Sequence, residues 1–279
     1  MSSSRSINTM IFNVAGVAVL LTAAGYMLTS YVMTPAVLPC TDRLSGGIQM
    51  TFDGANGKPL TPVELQGRSG SREWGLLKNA KAVPAKGQTG SVLEVSLAST
   101  DNEEMTSQNG VSFTWQPHEL AKASSACLSY SVYLPEKFPF SEPGFLPGLF
   151  SANDTSQLDE QEAYDGFVTR IGWAQSGDFG VDMRVRTAKG YWEGATRKTV
   201  WPLGRWVKIE QEVKLNTPGQ PDGVMRVWID GALTINDAGL TLRDSAQSVL
   251  SGVVSDIGYA WTLGTVETIR LTPFVVQWQ

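Results

Sequence analysis

The residues best suited to chemistry are basic side chains on two predicted strands in the middle of the chain. In the stretch 180–187, Arg184 and Arg186 alternate with apolar residues, so both lie on one face of an extended strand. Arg170 lies on the polar side of a second stretch, 166–173. An arginine guanidinium matches a carboxylate with two parallel hydrogen bonds. Because the whole protein carries a net charge of -5, this basic face predicts contact with a polyanion, and a solvated face with cross-strand ion pairs is the alternative.

Three residues just after this strand could complete a site. Lys189 adds a positive charge, Tyr191 supplies a phenol for proton transfer, and Trp192 supplies a surface for stacking. Packing against the domain is the alternative role for the two aromatic residues. The candidate catalytic residues are Arg170 and Tyr191, and the candidate substrate-binding residues are Arg184, Arg186, Lys189 and Trp192.

Other chemistries have weaker support in the sequence. Glycoside hydrolysis needs two carboxylates, and Glu210 and Glu212 share one strand face. Lys208 and Lys214 flank them, which is typical of a charge ladder. The single histidine, His118, follows a proline and is expected in a surface turn. The sequence contains no convincing metal-binding cluster, phosphate-binding loop or dinucleotide fingerprint, so we predict neither a metal nor a cofactor.

The elements that position these residues are predicted to be strands. The stretch 205–231 contains two alternating segments joined by a turn-rich linker, and we interpret it as the central hairpin of an antiparallel sheet. Further strands, separated by Gly, Pro, Asn and Asp, predict an all-β sandwich or jelly roll of two antiparallel sheets. The stretch 135–165 is predicted to be a long irregular segment. The candidate strands are 48–52, 91–97, 111–115, 126–134, 166–173, 180–187, 206–215, 224–229, 253–259 and 267–276.

The N-terminal segment predicts a membrane anchor. The stretch 11–32 is uncharged, mostly apolar and long enough for one transmembrane helix. The lone Arg5 before it favours an N-terminus inside and a domain on the extracytoplasmic side, periplasmic or extracellular. A cleaved signal peptide is the alternative. The expected organisation is an anchor or signal at 1–34, a linker at 35–47 and a β domain at 48–279.

Composition narrows the partners and the compartment. An acidic balance argues against a general nucleic-acid binder, and nine tryptophans on a β scaffold slightly favour carbohydrate. Two cysteines, Cys40 and Cys127, are too few for a disulfide framework. They either pair, if the domain lies outside the cytoplasm, or are two unrelated thiols, and the sequence leaves both open.

Several segments, in unbroken order from about Tyr130 to the C-terminus, resemble the family 14 polysaccharide lyases, which cleave alginate and glucuronate polymers. The matching segments are SYSVYLPEKFPF, LPGLF, GFVTRIGW, WPLGRWVKIEQEVKLNTPG, GVMRVWIDG and DIGYAWTLGTVETIRLTPFVVQW. The resemblance implies a concanavalin A-like jelly roll. It also implies cleavage by β-elimination, in which one group neutralises the uronate carboxylate, a base removes the C5 proton and an acid assists departure of the O4 leaving group.

The chain departs from the family pattern at most of the polar positions that this chemistry uses. Where the family has Ser-Thr-Arg, Arg170 keeps the arginine and Val168 replaces the serine. Two tyrosines separated by one residue correspond here to Asp182 and Arg184. The family's lysine before Leu-Pro-Gly corresponds to Phe145.

Two functions therefore follow from the resemblance, and both have an acidic, uronate-containing polysaccharide as the partner. In the first, the protein is a lyase with a rearranged site, in which Arg170 and Arg184 neutralise the carboxylate and Tyr191 acts as base or acid. In the second, it is a non-catalytic, membrane-anchored protein for polysaccharide binding or assembly. Ultraviolet-absorbing unsaturated products distinguish the first from the second.

Overall fold

The computed structural model of the chain describes residues 19–22, 37–69, 73–97, 110–152, 165–187, 190–260 and 267–279, with the backbone alone at 190–193 and 195–198. The chain divides into two compact units, Met1–Val37 and Leu38–Gln279. In the first unit, residues 19–22 are helical. No helix within the described ranges is long and apolar enough to cross a membrane. Most of the predicted span 11–32 lies outside the described residues.

Most of the regular secondary structure described in the second unit is β-strand. Its helical elements are α1 (Pro62–Arg68), α2 (Leu76–Asn79) and the 3-10 helices Cys40–Asp42 and His118–Lys122. The strands are β1 (Gly46–Met50), β2 (Glu73–Trp74), β3 (Ala80–Pro84), β4 (Ser91–Ser96), β5 (Ser112–Trp115), β6 (Ser125–Tyr133), β7 (Gly144–Leu146), β8 (Gly148–Ser151), β9 (Gly166–Trp173), β10 (Asp178–Thr187), β11 (Gly190–Val200), β12 (Trp206–Lys214), β13 (Gly223–Ile229), β14 (Ala232–Leu240), β15 (Gly252–Val254), β16 (Gly258–Tyr259), β17 (Thr268–Leu271) and β18 (Phe274–Trp278).

These strands form two nine-stranded sheets. The back sheet has the order β14-β13-β12-β6-β17-β4-β3, and β18 joins it by pairing with β6 and β1. The front sheet has the order β11-β10-β9-β8-β15-β5-β2, and β7 joins it by pairing with β9 and β16. The strand pairs within them are antiparallel, for example β9 with β10 and β12 with β6. The prediction of an all-β protein with two antiparallel sheets is confirmed.

The core lies between the sheets because successive side chains of a strand point to opposite faces. On β9, the side chains of Phe167, Ile171 and Trp173 belong to the main core cluster. On β10, Val181 and Met183 do the same. Full burial of such side chains stabilises the fold by about 2 kcal/mol each. The intervening residues therefore lie on the outer face of the front sheet, as the alternation in the sequence predicts.

Three expectations about the strands are corrected by the structure. The β12–β13 hairpin is not central, since only β14 separates β13 from the edge of the back sheet. The stretch 135–165 is not simply irregular, because it contains β7 and β8, and both pair with β9. The predicted strands 253–259 and 267–276 are each two shorter strands, β15 with β16 and β17 with β18.

A disulfide fastens the start of the domain to the back sheet. Cys40 is bonded to Cys127 on β6, with the two Cα atoms 5.8 Å apart. The sequence left open whether these cysteines pair. The bond places the 3-10 helix Cys40–Asp42 against β12 and β6.

The same segment covers Glu210 and Glu212, the carboxylates that the sequence placed in a charge ladder. Glu210 is 1% exposed and accepts hydrogen bonds from Thr41 N at 3.1 Å and Thr41 Oγ1 at 2.7 Å. Glu212 is 4% exposed and pairs with Arg43 Nη2 at 2.7 Å and Arg226 Nη1 at 3.0 Å. Burying a carboxylate costs free energy unless the group is paired. These contacts compensate that cost, so both glutamates can be buried beneath the segment that covers the outer face of the back sheet.

Candidate functional site

A cleft of about 320 Å³ lies on the outer face of the front sheet. Side chains from separate strands line it, and residues 256–260 around β16 complete the wall. Five strands contribute one side chain each: Trp74 from β2, Ser112 from β5, Phe145 from β7, Arg170 from β9 and Arg184 from β10. The cleft therefore collects polar residues that are far apart in the chain.

The register of the sheet explains why these residues meet. Directly opposed residues on neighbouring antiparallel strands share a face. Arg170 on β9 is opposite Asp182 on β10, and Val168 is opposite Arg184. Arg170, Asp182 and Arg184 are therefore neighbours on the outer face, and Arg186 follows two residues later on the same strand.

In a short segment next to the cleft, the backbones of two strands pack closely together. In the segment LPGLF, Leu146 and Leu149 are completely buried. A Cβ atom at Gly148 between them would clash with the carbonyl oxygen of Thr169. Only glycine lets β8 approach β9 this closely. This packing holds β7, and with it Phe145, beside the floor of the cleft.

Arg170 forms the floor of the cleft and is held by a buried ion pair. Its Nε donates to Asp256 Oδ2 at 2.6 Å, and Ser112 Oγ donates to Asp256 Oδ1 at 2.5 Å. The guanidinium carbon lies 5.5 Å from the centroid of the Phe145 ring, which is a cation–π contact. Arg170 is only 6% exposed. The pair and the ring fix the orientation of the guanidinium, and Asp256 compensates much of its charge.

The remaining predicted site residues lie in different places relative to the cleft. Arg184 lines the cleft and is partly exposed, and Arg186 is partly exposed on the same face. Lys189 lies outside the described residues. On β11 the backbone register sets Tyr191 opposite Arg186 and Trp192 opposite Val185. Tyr191 therefore has a position on the outer face, whereas Trp192 has a position in the row of Val185, which belongs to the core cluster.

Tyr259 is the tyrosine in the lining of the cleft, and it is unsuited to act as a base. Burial and then the negative charge of Glu267 raise the pKa of its phenol. Its hydroxyl donates to the carbonyl oxygen of Pro139 at 2.8 Å. Tyr259 therefore stays protonated at neutral pH, and its proton is committed to a backbone acceptor.

Sequence reasoning missed three residues of this cleft: Trp74, Ser112 and Asp256. Asp256 lies within the predicted strand 253–259, where an acidic residue among apolar ones was the available signal. Nothing local indicates its partner, because Arg170 is 86 residues away. Trp74 and Ser112 lie before the part of the chain that carries the family resemblance.

One grouping of potential metal ligands occurs within the described ranges. Cys40, Cys127 and Glu210 have ligand atoms within 4.8 Å of one another. The two sulfurs are joined in the disulfide, so they are not thiolates that could bind a metal ion.

Comparison with known proteins relates this architecture to polysaccharide lyases. An alginate lyase from Aplysia kurodai superposes with a TM-score of 0.66 at 16% identity, covering 85% of this chain and 99% of that one. The alginate lyase vAL-1 from Chlorella virus gives 0.63 at 16% identity, covering 83% and 100%. The endo-β-1,4-glucuronan lyase from the fungus Trichoderma reesei gives 0.56 at 14% identity, covering 85% and 96%. At these identities the likeness establishes the fold.

The family itself is established by sequence. No curated protein sequence matches the chain at a significant level. The family model for polysaccharide lyase 14 matches residues 85–259, which is more than half of the chain and includes β9, β10 and the floor of the cleft. This protein therefore belongs to the polysaccharide lyase 14 family.

Proposed function

We propose that the cleft binds an acidic, uronate-containing polysaccharide and that the protein cleaves it by β-elimination. The observation that carries the proposal is the row of arginines, Arg170, Arg184 and Arg186, on the outer face of the front sheet in a lyase-family fold. The family supports lyase-like chemistry, and the arginines supply the charge that a uronate polymer requires. The structural relatives are described as lyases of alginate and of glucuronan, which supports this class of substrate.

Arg184 is the group that we assign to the substrate carboxylate. It lines the cleft and is partly exposed, whereas Arg170 is only 6% exposed and is paired with Asp256. A guanidinium beside the carboxylate stabilises the negative charge that develops when the C5 proton leaves. Arg170 supports this step because its guanidinium is held in a fixed orientation at the floor of the cleft.

Tyr191 is the residue that we assign to proton transfer. The backbone register sets Tyr191 opposite Arg186 on β10, and a tyrosine phenol is a group that can take or give a proton in β-elimination. In the proposed reaction the phenolate takes the C5 proton, the C4–O4 bond breaks and a C4–C5 double bond forms. The departing oxygen takes up a proton, so the polymer is cut without water being consumed.

The experiment that tests the proposal follows the new double bond by its ultraviolet absorbance. The full chain, kept in detergent, is incubated with a panel of uronate polymers that includes alginate and polyglucuronate. We expect an increase in absorbance with one class of polymer, and loss of that increase in Tyr191→Phe while polymer binding is retained. Tyr133→Phe is the matched control, because Tyr133 packs on Trp206 of the back sheet, with ring centroids 5.7 Å apart. A flat trace with every polymer overturns cleavage by β-elimination.

Binding without cleavage is the second candidate function, and two specific observations favour it. Phe145 occupies the position that corresponds to the family's lysine, so a ring replaces a cation beside Arg170. Asp256 already occupies Nε of Arg170. Polymer binding with a flat absorbance trace would establish this function, and product formation would exclude it.

We also propose that the segment 11–32 anchors the protein in a membrane and that the β domain lies on the extracytoplasmic side. The uncharged apolar sequence after Arg5 supports the anchor. The Cys40–Cys127 disulfide supports an oxidising compartment for the domain. We expect the full chain to require detergent for release from membranes. A mature protein that begins after residue 34 and is released without detergent overturns the anchor.

A further inference from the structure

Trp74 presents an exposed indole at one end of the cleft. It is 42% exposed and belongs to the cleft lining. Within the part of the chain that the structure describes, the other large apolar side chains in this exposure class are valines and leucines. A single exposed apolar side chain needs no explanation by itself. What distinguishes Trp74 is where its indole lies and how its strand is held.

A continuous row of residues connects Trp74 to the charged floor. Trp74 on the edge strand β2 is opposite Ser112 on β5, so the two share a face. Ser112 donates to Asp256, and Asp256 binds Arg170. The row therefore crosses the front sheet from its β2 edge towards β10, where Arg184 lies.

The turn after Trp74 is built to hold this strand in place. Gly75 has φ of 80°, and a Cβ there would clash with the carbonyl oxygen of Gly110. That oxygen accepts a hydrogen bond from Asn79 Nδ2 at 2.7 Å. On the other side, Glu73 accepts hydrogen bonds from Leu76 N at 2.9 Å and from the side chain of Gln66. The backbone on both sides of Trp74 is thus fixed by α1, α2 and the chain before β5, which lowers the entropy lost when a ligand contacts the indole.

We infer that Trp74 forms a stacking subsite for a sugar ring of the acidic polysaccharide, several residues along the polymer from the unit held at Arg184. This inference rests on the proposed function of the cleft and assigns a further binding residue within it. The apolar face of a pyranose ring packs against an indole, while the hydroxyls and the carboxylate at its edge remain available to polar groups. Ser112, which is opposite Trp74 on β5, supplies a hydroxyl beside it.

The position of Trp74 means that its contribution to affinity depends on the length of the ligand. β10 and β2 are five strand spacings apart in the order of the front sheet, which amounts to about 24 Å along the sheet. Because Trp74 and Arg184 come from strands at opposite ends of the cleft, a short ligand held at Arg184 contacts Trp74 less than a longer oligosaccharide does. Trp74 therefore contributes to affinity only above a threshold chain length.

The test measures Kd of the full chain for uronate oligosaccharides of increasing length, using Tyr191→Phe as the background so that no substrate is consumed. Trp74→Ala is expected to weaken binding of the long oligosaccharides about tenfold and to leave the shortest binding oligosaccharide unchanged. Trp74→Phe, which keeps an aromatic face, is expected to recover part of the loss. Leu77→Ala is the matched control, because Leu77 is 49% exposed three residues away and is absent from the cleft lining.

The outcomes separate the subsite from the function of the cleft. Equal affinity of Trp74→Ala and its background at every length overturns the subsite and leaves the proposed function standing. A loss of the same size at every length also overturns it, because that result indicates a general disturbance of the cleft. Failure of the protein with an unchanged Trp74 to bind any acidic oligosaccharide overturns the proposed function, and the subsite with it.

Discussion

Arg170 and Asp256 form an ion pair at the floor of the cleft, with Arg170 Nε 2.6 Å from Asp256 Oδ2 and both side chains largely shielded from water. Their charges compensate each other in a place where an unpaired charge would be costly. The pair thus serves the fold as well as the site. The two arginines of β10, Arg184 and Arg186, are more exposed than Arg170.

Removing one member of this pair is expected to destabilise the protein. In Asp256→Asn the Arg170 charge loses its partner, and we expect the free energy of unfolding to fall by about 3 kcal/mol, measured by urea denaturation. Replacing both residues, as in Arg170→Met with Asp256→Leu, should recover much of the loss.

The control for this prediction is an exposed pair. Arg205 Nη1 and Asp230 Oδ2 are 2.8 Å apart, with side chains 52% and 38% exposed. Asp230→Asn should change the free energy of unfolding by less than about 1 kcal/mol. Wild-type stability in Asp256→Asn would contradict a structural role for the buried pair.

The arginines of β10 are expected to determine affinity for the polymer. Arg184→Ala and Arg186→Ala should each raise Kd for an acidic polysaccharide about tenfold, because each removes a charge-assisted hydrogen-bond donor. The loss should shrink at high salt, since salt screens exposed charges. Isothermal titration at two salt concentrations measures both effects. Arg205→Ala, on the back sheet, is the matched control. Unchanged affinity in both β10 variants would refute the assignment.

The disulfide is expected to stabilise the domain without affecting the cleft. Cys40 and Cys127 are 87 residues apart, so their bond restricts a long loop in the unfolded chain. The double variant Cys40→Ser with Cys127→Ser should lose about 2–5 kcal/mol of unfolding free energy in urea denaturation. Polymer affinity should stay unchanged under conditions where the variant is folded. Equal stability of oxidised and reduced protein would disprove the prediction.

Stability should fall at acidic pH through Glu94. Burial raises the pKa of this carboxyl, but hydrogen bonds from Lys81 and Arg270, with N–O distances of 2.9 and 2.7 Å, outweigh burial and hold the pKa below its ordinary value of 4.5. A pKa that is lower in the folded state means that the contribution is complete above pH 4.5 and is lost as the pH falls through the lowered value.

The measurement is a series of urea denaturations of wild type and Glu94→Gln between neutral and strongly acidic pH. The variant should be less stable than wild type at neutral pH, and the two curves should converge in acid. Glu119→Gln, in the 3-10 helix His118–Lys122, is a comparison at an exposed position. A stability difference for Glu94→Gln that persists undiminished in acid would contradict the assignment.

The local pattern of the chain predicted several strands and their faces, including β9, β10, β12 and β13, but it missed β3, β11 and β14. Alternation in GFVTRIGW separates Phe167 and Trp173 from Arg170, and the structure places them on opposite faces of β9. This works because side-chain direction in a strand depends only on the local backbone, with a period of two residues. The resemblance to the lyase family was likewise carried by ordered local segments, and the family match confirmed it.

Sheet order was beyond the reach of that pattern. Alternation in β12 is the same whether the hairpin is central or near an edge. The alternation also does not reveal that Thr41 and Arg43, from the start of the domain, pack over Glu210 and Glu212. The predicted charge ladder is present in the pair of Lys208 with Glu210, but the local pattern did not indicate that Glu210 and Glu212 are buried. Burial depends on what packs against a face, and that partner comes from a distant part of the chain.

The sequence by itself determined an acidic all-β protein that resembles the lyase family, with Arg184 and Arg186 on one face of a strand and Arg170 on a second strand. Only the tertiary structure decided that Asp256 would pair with Arg170, that Cys40 would bond to Cys127 and that Trp74 would lie at the end of the cleft. Each of these relationships joins residues from different strands or segments. Contacts of this kind are set by strand order and register across the whole sheet, and they leave no periodic signal in the local sequence.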